Sequence, residues 1–277
     1  MEKKRAITAW IFLAITFTAV FLGGWVLGIF LTALMCFGMK ELLMMMHSKD
    51  LYPSVVTSYL GCLVFFFLGC ASEIQYLHLA AIFLIICAFL AILRRGQKAR
   101  IRDIGATLIC VLYGGLLPSH FLFLRNMDAG STDLFGYDLN LALGFVILMV
   151  VSITVTDVAA YFVGCKFGKH KLWEAVSPKK TIEGSLAGAF FSIAFALFIG
   201  YFIGLEWWQS FAAGLLITIF AQLGDLIESM MKRDAGAKDA SNILPGHGGF
   251  LDRADSYIFT VAITYYFFYY FVVNPLF

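Results

Sequence analysis

Residues 229–256 read SMMKRDAGAKDASNILPGHGGFLDRADS and separate two segments apolar enough to cross a bilayer. These 28 residues hold four Lys/Arg, four Asp, one His and four Gly. So much charge beside greasy segments points to the handling of a polar substrate. The surrounding chain fixes the fold class. Of its 277 residues 61% are hydrophobic and 14% charged, against about 25% charged in a soluble domain. The apolar residues fall in runs of about 20, the length a helix needs to cross about 30 Å of hydrocarbon. The expected fold is all-α, a polytopic integral membrane protein.

About nine transmembrane helices are predicted, over 6–22, 25–46, 52–70, 74–93, 103–124, 139–164, 184–204, 208–231 and 254–274. The N-terminal MEKKRA and its apolar run lack a small-x-small cleavage site, so the first helix is read as retained. Gly23-Gly24 predicts a tight hairpin between the first two spans. The six Cys show no CxxC pair or metal spacing, and five of them sit as small hydrophobes inside apolar runs. Taking the RRGQKARIR loop at 94–102 as cytoplasmic, alternation puts nineteen of the twenty Lys/Arg on that side and leaves Arg125 alone opposite. The N-terminus is then cytoplasmic and the C-terminus external. The chain reads as one membrane domain, with scaffold helices over 1–134 and a catalytic half over 135–277. Lys40, Glu41, His78 and His120, near span ends in the first half, read as interfacial residues.

The chemistry begins at the sixth span. Asp157 lies about two turns inside its cytoplasmic end, and an intramembrane carboxylate is costly enough to mark function unless it pairs with a neighbouring helix. In the next loop, Ser177-Pro178 reads as an N-cap followed by an N1 proline. Lys179 and Lys180 would then sit on the first turn of a short helix and seat a phosphate. On the eighth span Asp225, Glu228, Ser229 and Lys232 fall at i, i+3, i+4 and i+7, one helical face that Gln222 extends. A polar packing stripe would explain some of these residues, but polar glue seldom runs four in a row. Arg233, Lys238 and Asp239 flank a tight DAGA turn. Pro245-Gly246-His247-Gly248-Gly249 forms a second turn, with Asp252, Arg253 and Asp255 after it; helix capping accounts for only one of those Asp.

Hard carboxylates without a Cys/His cluster suit Mg2+, and with Lys/Arg and glycine turns they point to phosphoryl or nucleotidyl transfer. No P-loop is present. A transporter using Asp157, Asp225 and Glu228 is the rival from another class; it would want inverted repeats and midplane sites. The candidate residues cluster instead in the cytoplasmic third.

The spacing Ser229, Lys232-Arg233, Lys238-Asp239, Ser241, Pro245-x-His247-Gly248-Gly249, Asp252-Arg253, Asp255 resembles the signature of the phosphatidate cytidylyltransferases. Asp157, Tyr161, Gly164, Lys171, Ser177–Thr181, Glu183 and Gly184 are also similar to that family, while Ala254 departs from it where a larger residue is usual. The resemblance implies a bacterial inner (cytoplasmic) membrane enzyme, its active site facing the cytoplasm, that makes CDP-diacylglycerol from CTP and phosphatidate with Mg2+. Another lipid phosphate or polyprenyl acceptor is the alternative. By motif position, Asp225, Asp252 and Asp255 are expected at the metal, and a second cation, monovalent or divalent, is left open. Lys232, Lys238 and Asp239 are expected to be catalytic. Asp157, Ser177, Lys179, Lys180, Thr181, Glu228, Ser229, Arg233, His247, Gly248, Gly249 and Arg253 are expected to bind substrate, with His247 on a phosphate or the base. No nucleic-acid partner is implied, and a homodimer is left open.

Overall fold

The apolar runs fold as helices. The computed structural model describes residues 2–134, 136–237, 239–241 and 248–275, with side chains from residue 12 onward. Among the described residues each of the nine expected spans falls on a helical segment. These are α1 (Glu2–Leu22), α2 (Gly24–Ser48), α3 (Val55–Ala71), α4 (Leu77–Leu93), α5 (Ile101–Val111) running through a π turn into α6 (Leu117–Arg125), α7 (Leu141–Phe167), α8 (Ile182–Phe202), α9 (Trp207–Asp234) and α10 (Leu251–Phe268). Seven of them are long and apolar enough to cross a membrane, whereas Phe12–Leu22 and Val55–Ala71 are shorter apolar helices. The chain is therefore an all-α, multi-pass membrane protein. Two hairpins interrupt the helices, β1 (Ser131–Leu134) with β2 (Tyr137–Asn140) and β3 (Lys171–Trp173) with β4 (Ser177–Thr181), both antiparallel.

The chain forms two compact units, Met1–Asn126 with Asp234–Ala254, and Met127–Arg233 with Asp255–Phe277. In the first, Leu27, Met39, Leu42, Phe65, Phe66, Leu84 and Leu122 make the core. The π turn at Leu112–Leu116 precedes Pro118, which has no N–H to return to the carbonyl one turn back. Arg125 does not serve as a solvated loop cation. Its Nε and Nη2 donate to the carbonyls of Val20 and Phe21, each at 2.8 Å, satisfying acceptors that the end of α1 leaves open. Asp103, almost fully buried, accepts from the Tyr52 amide at 2.8 Å and ties the α2–α3 connection to α5.

In the second unit small residues set the helix spacing. A Cβ on Gly184 would lie 2.6 Å from the Ala160 carbonyl, and one on Gly188 would lie 2.9 Å from that of Thr156, so α7 and α8 meet backbone to backbone. Near the opposite end of α7, Phe145 stacks on Phe268 of α10 at 4.0 Å.

Ser177–Thr181 corrects one expectation. It is a strand, and α8 begins only at Ile182. Thr181, in extended conformation, is the N-cap and accepts from the Gly184 amide at 3.2 Å. Pairing with β3 holds Ser177-Pro178 extended, so Pro178 never reaches a first helical turn. Alternation along β4 then puts Lys179 and Lys180 on opposite faces.

Candidate active site

In the second unit, Gly224 makes the site possible. A Cβ there would lie 2.4 Å from the Asp255 carbonyl oxygen, so only glycine lets α9 approach α10 so closely. The next residue along α9 is Asp225. Asp225 Oδ2 pairs with Lys180 Nζ at 2.6 Å, and its Oδ1 accepts from Ser229 Oγ at 3.2 Å. Asp157 and Asp255 each interact electrostatically with Asp225, the first also with Lys180 and the second also with Lys232. One turn below, the fully buried Glu228 is ion-paired with Lys232. One turn above, Gln222 holds Ser185 of α8 and donates to Thr218 Oγ1 at 3.2 Å. Three carboxylates from α7, α9 and α10 thus share a neighbourhood with lysines from β4 and α9. Coulomb attraction is strong where water is scarce, and this neighbourhood concentrates both signs of charge at helix ends.

Of the other candidates in this unit, Lys179 and Arg233 are exposed, Ser177 is half-buried and Thr181 is buried as a cap. Glu183 accepts from the backbone amides of Lys169 and His170 at 3.1 and 3.2 Å and from His170 Nδ1 at 2.6 Å, which closes the loop ahead of β3.

In the first unit the glycine turn enters α10. Gly248 has φ +79°, in the left-handed region that glycine favours. Asp252 Oδ2 accepts the amides of Gly249 at 2.7 Å and Ala240 at 3.0 Å. Gly249, expected to bind substrate, therefore gives its N–H to Asp252 instead. Arg253 and Asp239 are exposed. Lys238 and His247, both candidates from sequence, lie outside the described residues.

Sequence reasoning missed Glu41. This α2 residue is not interfacial: it is 0% exposed and accepts the amides of Phe250 at 2.9 Å and Leu251 at 2.8 Å and the hydroxyl of Ser241. The available signal was a carboxylate inside an apolar run.

Oxygen donors of this kind fit Mg2+. Among the described residues no three His, Cys, Asp or Glu side chains converge as a metal cage. That cation is commonly held through one or two carboxylates plus substrate phosphates, which a carboxylate such as Asp225, with Asp255 beside it, can supply.

Acidic groups and lysines at the ends of membrane helices, with no His/Cys metal cluster among the described residues, suit a membrane-embedded enzyme of phosphate chemistry. The chain belongs to the cytidylyltransferase family, which it matches over residues 3–271. It is 35% identical to a phosphatidate cytidylyltransferase of Synechocystis sp., with 96% of each chain covered. It is 33% identical to a phosphatidate cytidylyltransferase of Staphylococcus aureus, with 94% of this chain and 96% of that one covered.

Proposed function

We propose that this protein is a phosphatidate cytidylyltransferase, transferring the cytidylyl group of CTP to phosphatidate. The observation that carries the reading is the Asp157–Asp225–Asp255 neighbourhood with Lys180 and Lys232 in it, in a chain similar along nearly its whole length to enzymes of that name.

A phosphatidate oxygen attacks the α-phosphorus of CTP, the bond from that phosphorus to the bridging oxygen breaks, and diphosphate leaves. A phosphomonoester has a second pKa near 6 and is mostly dianionic at pH 7, so it needs no strong general base. What the protein must supply is relief of repulsion between two polyanions, and positioning. Lys180, Lys232 and Arg233 bind the triphosphate and the departing diphosphate, Lys179 on the other face of β4 contributes less, and Lys238 joins them by its place in the motif. Arg253 steers the phosphatidate phosphate, and His247 contacts a phosphate or the base. Mg2+, held by Asp225 and Asp255 with Asp252 as the third expected carboxylate, would neutralise charge on the CTP phosphates. Asp252 also shapes the glycine turn through Gly249 and Ala240.

We further infer nine crossings of a bacterial inner membrane, with the N-terminus and the active site cytoplasmic, on the side that supplies CTP. The support is the distribution of Lys/Arg among the loops. The test is to incubate membranes containing the protein with labelled CTP, Mg2+ and phosphatidate. Label in a liponucleotide with release of diphosphate is expected. Label confined to another lipid acceptor, or appearing only across the bilayer, would overturn the reading.

A further inference from the structure

The carboxylate of Glu41 belongs to no motif that the function accounts for, yet it holds the turn that carries Asp252 and Arg253. Its two oxygens take the amides of Phe250 and Leu251, the residues at the entry of α10, and the hydroxyl of Ser241. Space around it is tight: a Cβ on Gly249 would lie 2.8 Å from both Glu41 oxygens. One turn earlier on α2, a Cβ on Gly38 would lie 3.2 Å from a Phe250 ring carbon and 3.3 Å from Leu251 Cδ1. A fully buried carboxylate is costly unless hydrogen bonds and a favourable field offset it. Here the offset comes from helix N–H groups and the positive end of the α10 dipole. The turn is thus clamped from two sides. Glu41 takes the amides of Phe250 and Leu251, and Asp252 takes those of Gly249 and Ala240.

We propose that Glu41 is a positioning residue for the cytidylyl transfer: it fixes the Gly248–Arg253 turn so that Asp252 and Arg253 are presented in one orientation. The inference rests on the cytidylyltransferase reading. It places the effect in turnover, because the cations assigned to the triphosphate lie on other segments. A negative charge already seated at the entry of α10 also takes these two N–H groups away from any phosphate.

The test uses the full-length protein in detergent or nanodiscs, comparing wild type with Glu41→Gln, Glu41→Asp and Glu41→Ala. Hydrogen–deuterium exchange over residues 248–254 and steady-state kinetics with CTP, Mg2+ and phosphatidate are read per folded molecule. Expected are faster exchange at Phe250 and Leu251 in Glu41→Ala, and kcat lower by about 10–100-fold with KM for CTP within about threefold. Glu41→Asp, which keeps the charge, should recover more turnover than Glu41→Gln. Unchanged exchange in Glu41→Ala overturns the clamp whatever the substrate is. Faster exchange with kcat unchanged overturns the positioning role. Wild-type protein that forms no liponucleotide overturns the functional reading instead, and with it the claim that the clamp serves this transfer.

Discussion

Glu41 and Glu228 are both 0% exposed carboxylates on membrane helices, and the two units settle them differently. Glu41 is met by backbone N–H groups that cannot leave without unwinding the entry to α10. Glu228 is met by Lys232, a flexible ammonium one turn along the same helix. Asp225, half-buried above it, is likewise met by a lysine, Lys180 of β4. A partner fixed in the backbone makes a carboxylate part of the frame. A lysine can instead be surrendered to an arriving phosphate, while the carboxylate turns to a cation. The contrast separates an acid tied to the backbone from acids whose partners are mobile side chains.

Asp225→Asn should break that contrast most severely. It keeps shape and a contact to Ser229 but removes the charge facing Lys180. Turnover is expected to fall about a thousandfold, the several kcal/mol of charge stabilisation that a bound metal ion supplies, with folding retained by thermal shift. Activity within tenfold of wild type would remove Asp225 from the metal set.

Lys180→Gln comes next. The amide cannot neutralise a triphosphate, so kcat/KM for CTP should drop about 10–100-fold, and Lys179→Gln, on the outer face of β4, should lose less. Equal losses would restore the arrangement read from sequence, in which both lysines serve one phosphate. Glu228→Gln should be milder still, raising KM for CTP by less than tenfold and making it more sensitive to salt, since Lys232 loses the carboxylate that holds it in place. A collapse of folding in Glu228→Gln would instead place Glu228 with Glu41 in the frame.

These differences also mark what the sequence could reveal. Helices with apolar runs near 20 residues announce themselves, because a helix satisfies its backbone groups within one continuous segment in lipid. Asp225, Glu228, Ser229 and Lys232 were legible as a face because helical spacing is local. Lys179 and Lys180 were misplaced for an equally physical reason. Ser-Pro is a helix-start signal only if the chain turns there, and pairing between Lys171–Trp173 and Ser177–Thr181 delays the turn until Thr181. Glu41 was passed over because its partners lie about two hundred positions away, at Ser241, Phe250 and Leu251. Nothing in the local period of α2 distinguishes that contact from an interfacial residue.

Asp50 offers a third setting for a carboxylate and the smallest expected effect. It lies outside the apolar helices, exposed, with Arg102 and Arg100 on its Oδ2. The Arg102 guanidinium first, and then that of Arg100, hold its pKa below the ordinary carboxylate value. A depressed folded-state pKa stabilises the fold above the unfolded value, and that contribution is lost as pH falls through the folded one. Wild type and Asp50→Asn should therefore differ most in melting temperature near neutral pH and converge as the solution is acidified below about pH 4. The gap should be small and should shrink in high salt, because exposed pairs are screened and contribute little. A gap that widened on acidification would reverse the sign of the linkage. A gap that survived molar salt would mean that the Asp50 pair behaves like the Glu41 clamp, fixed in the frame and shielded from solvent.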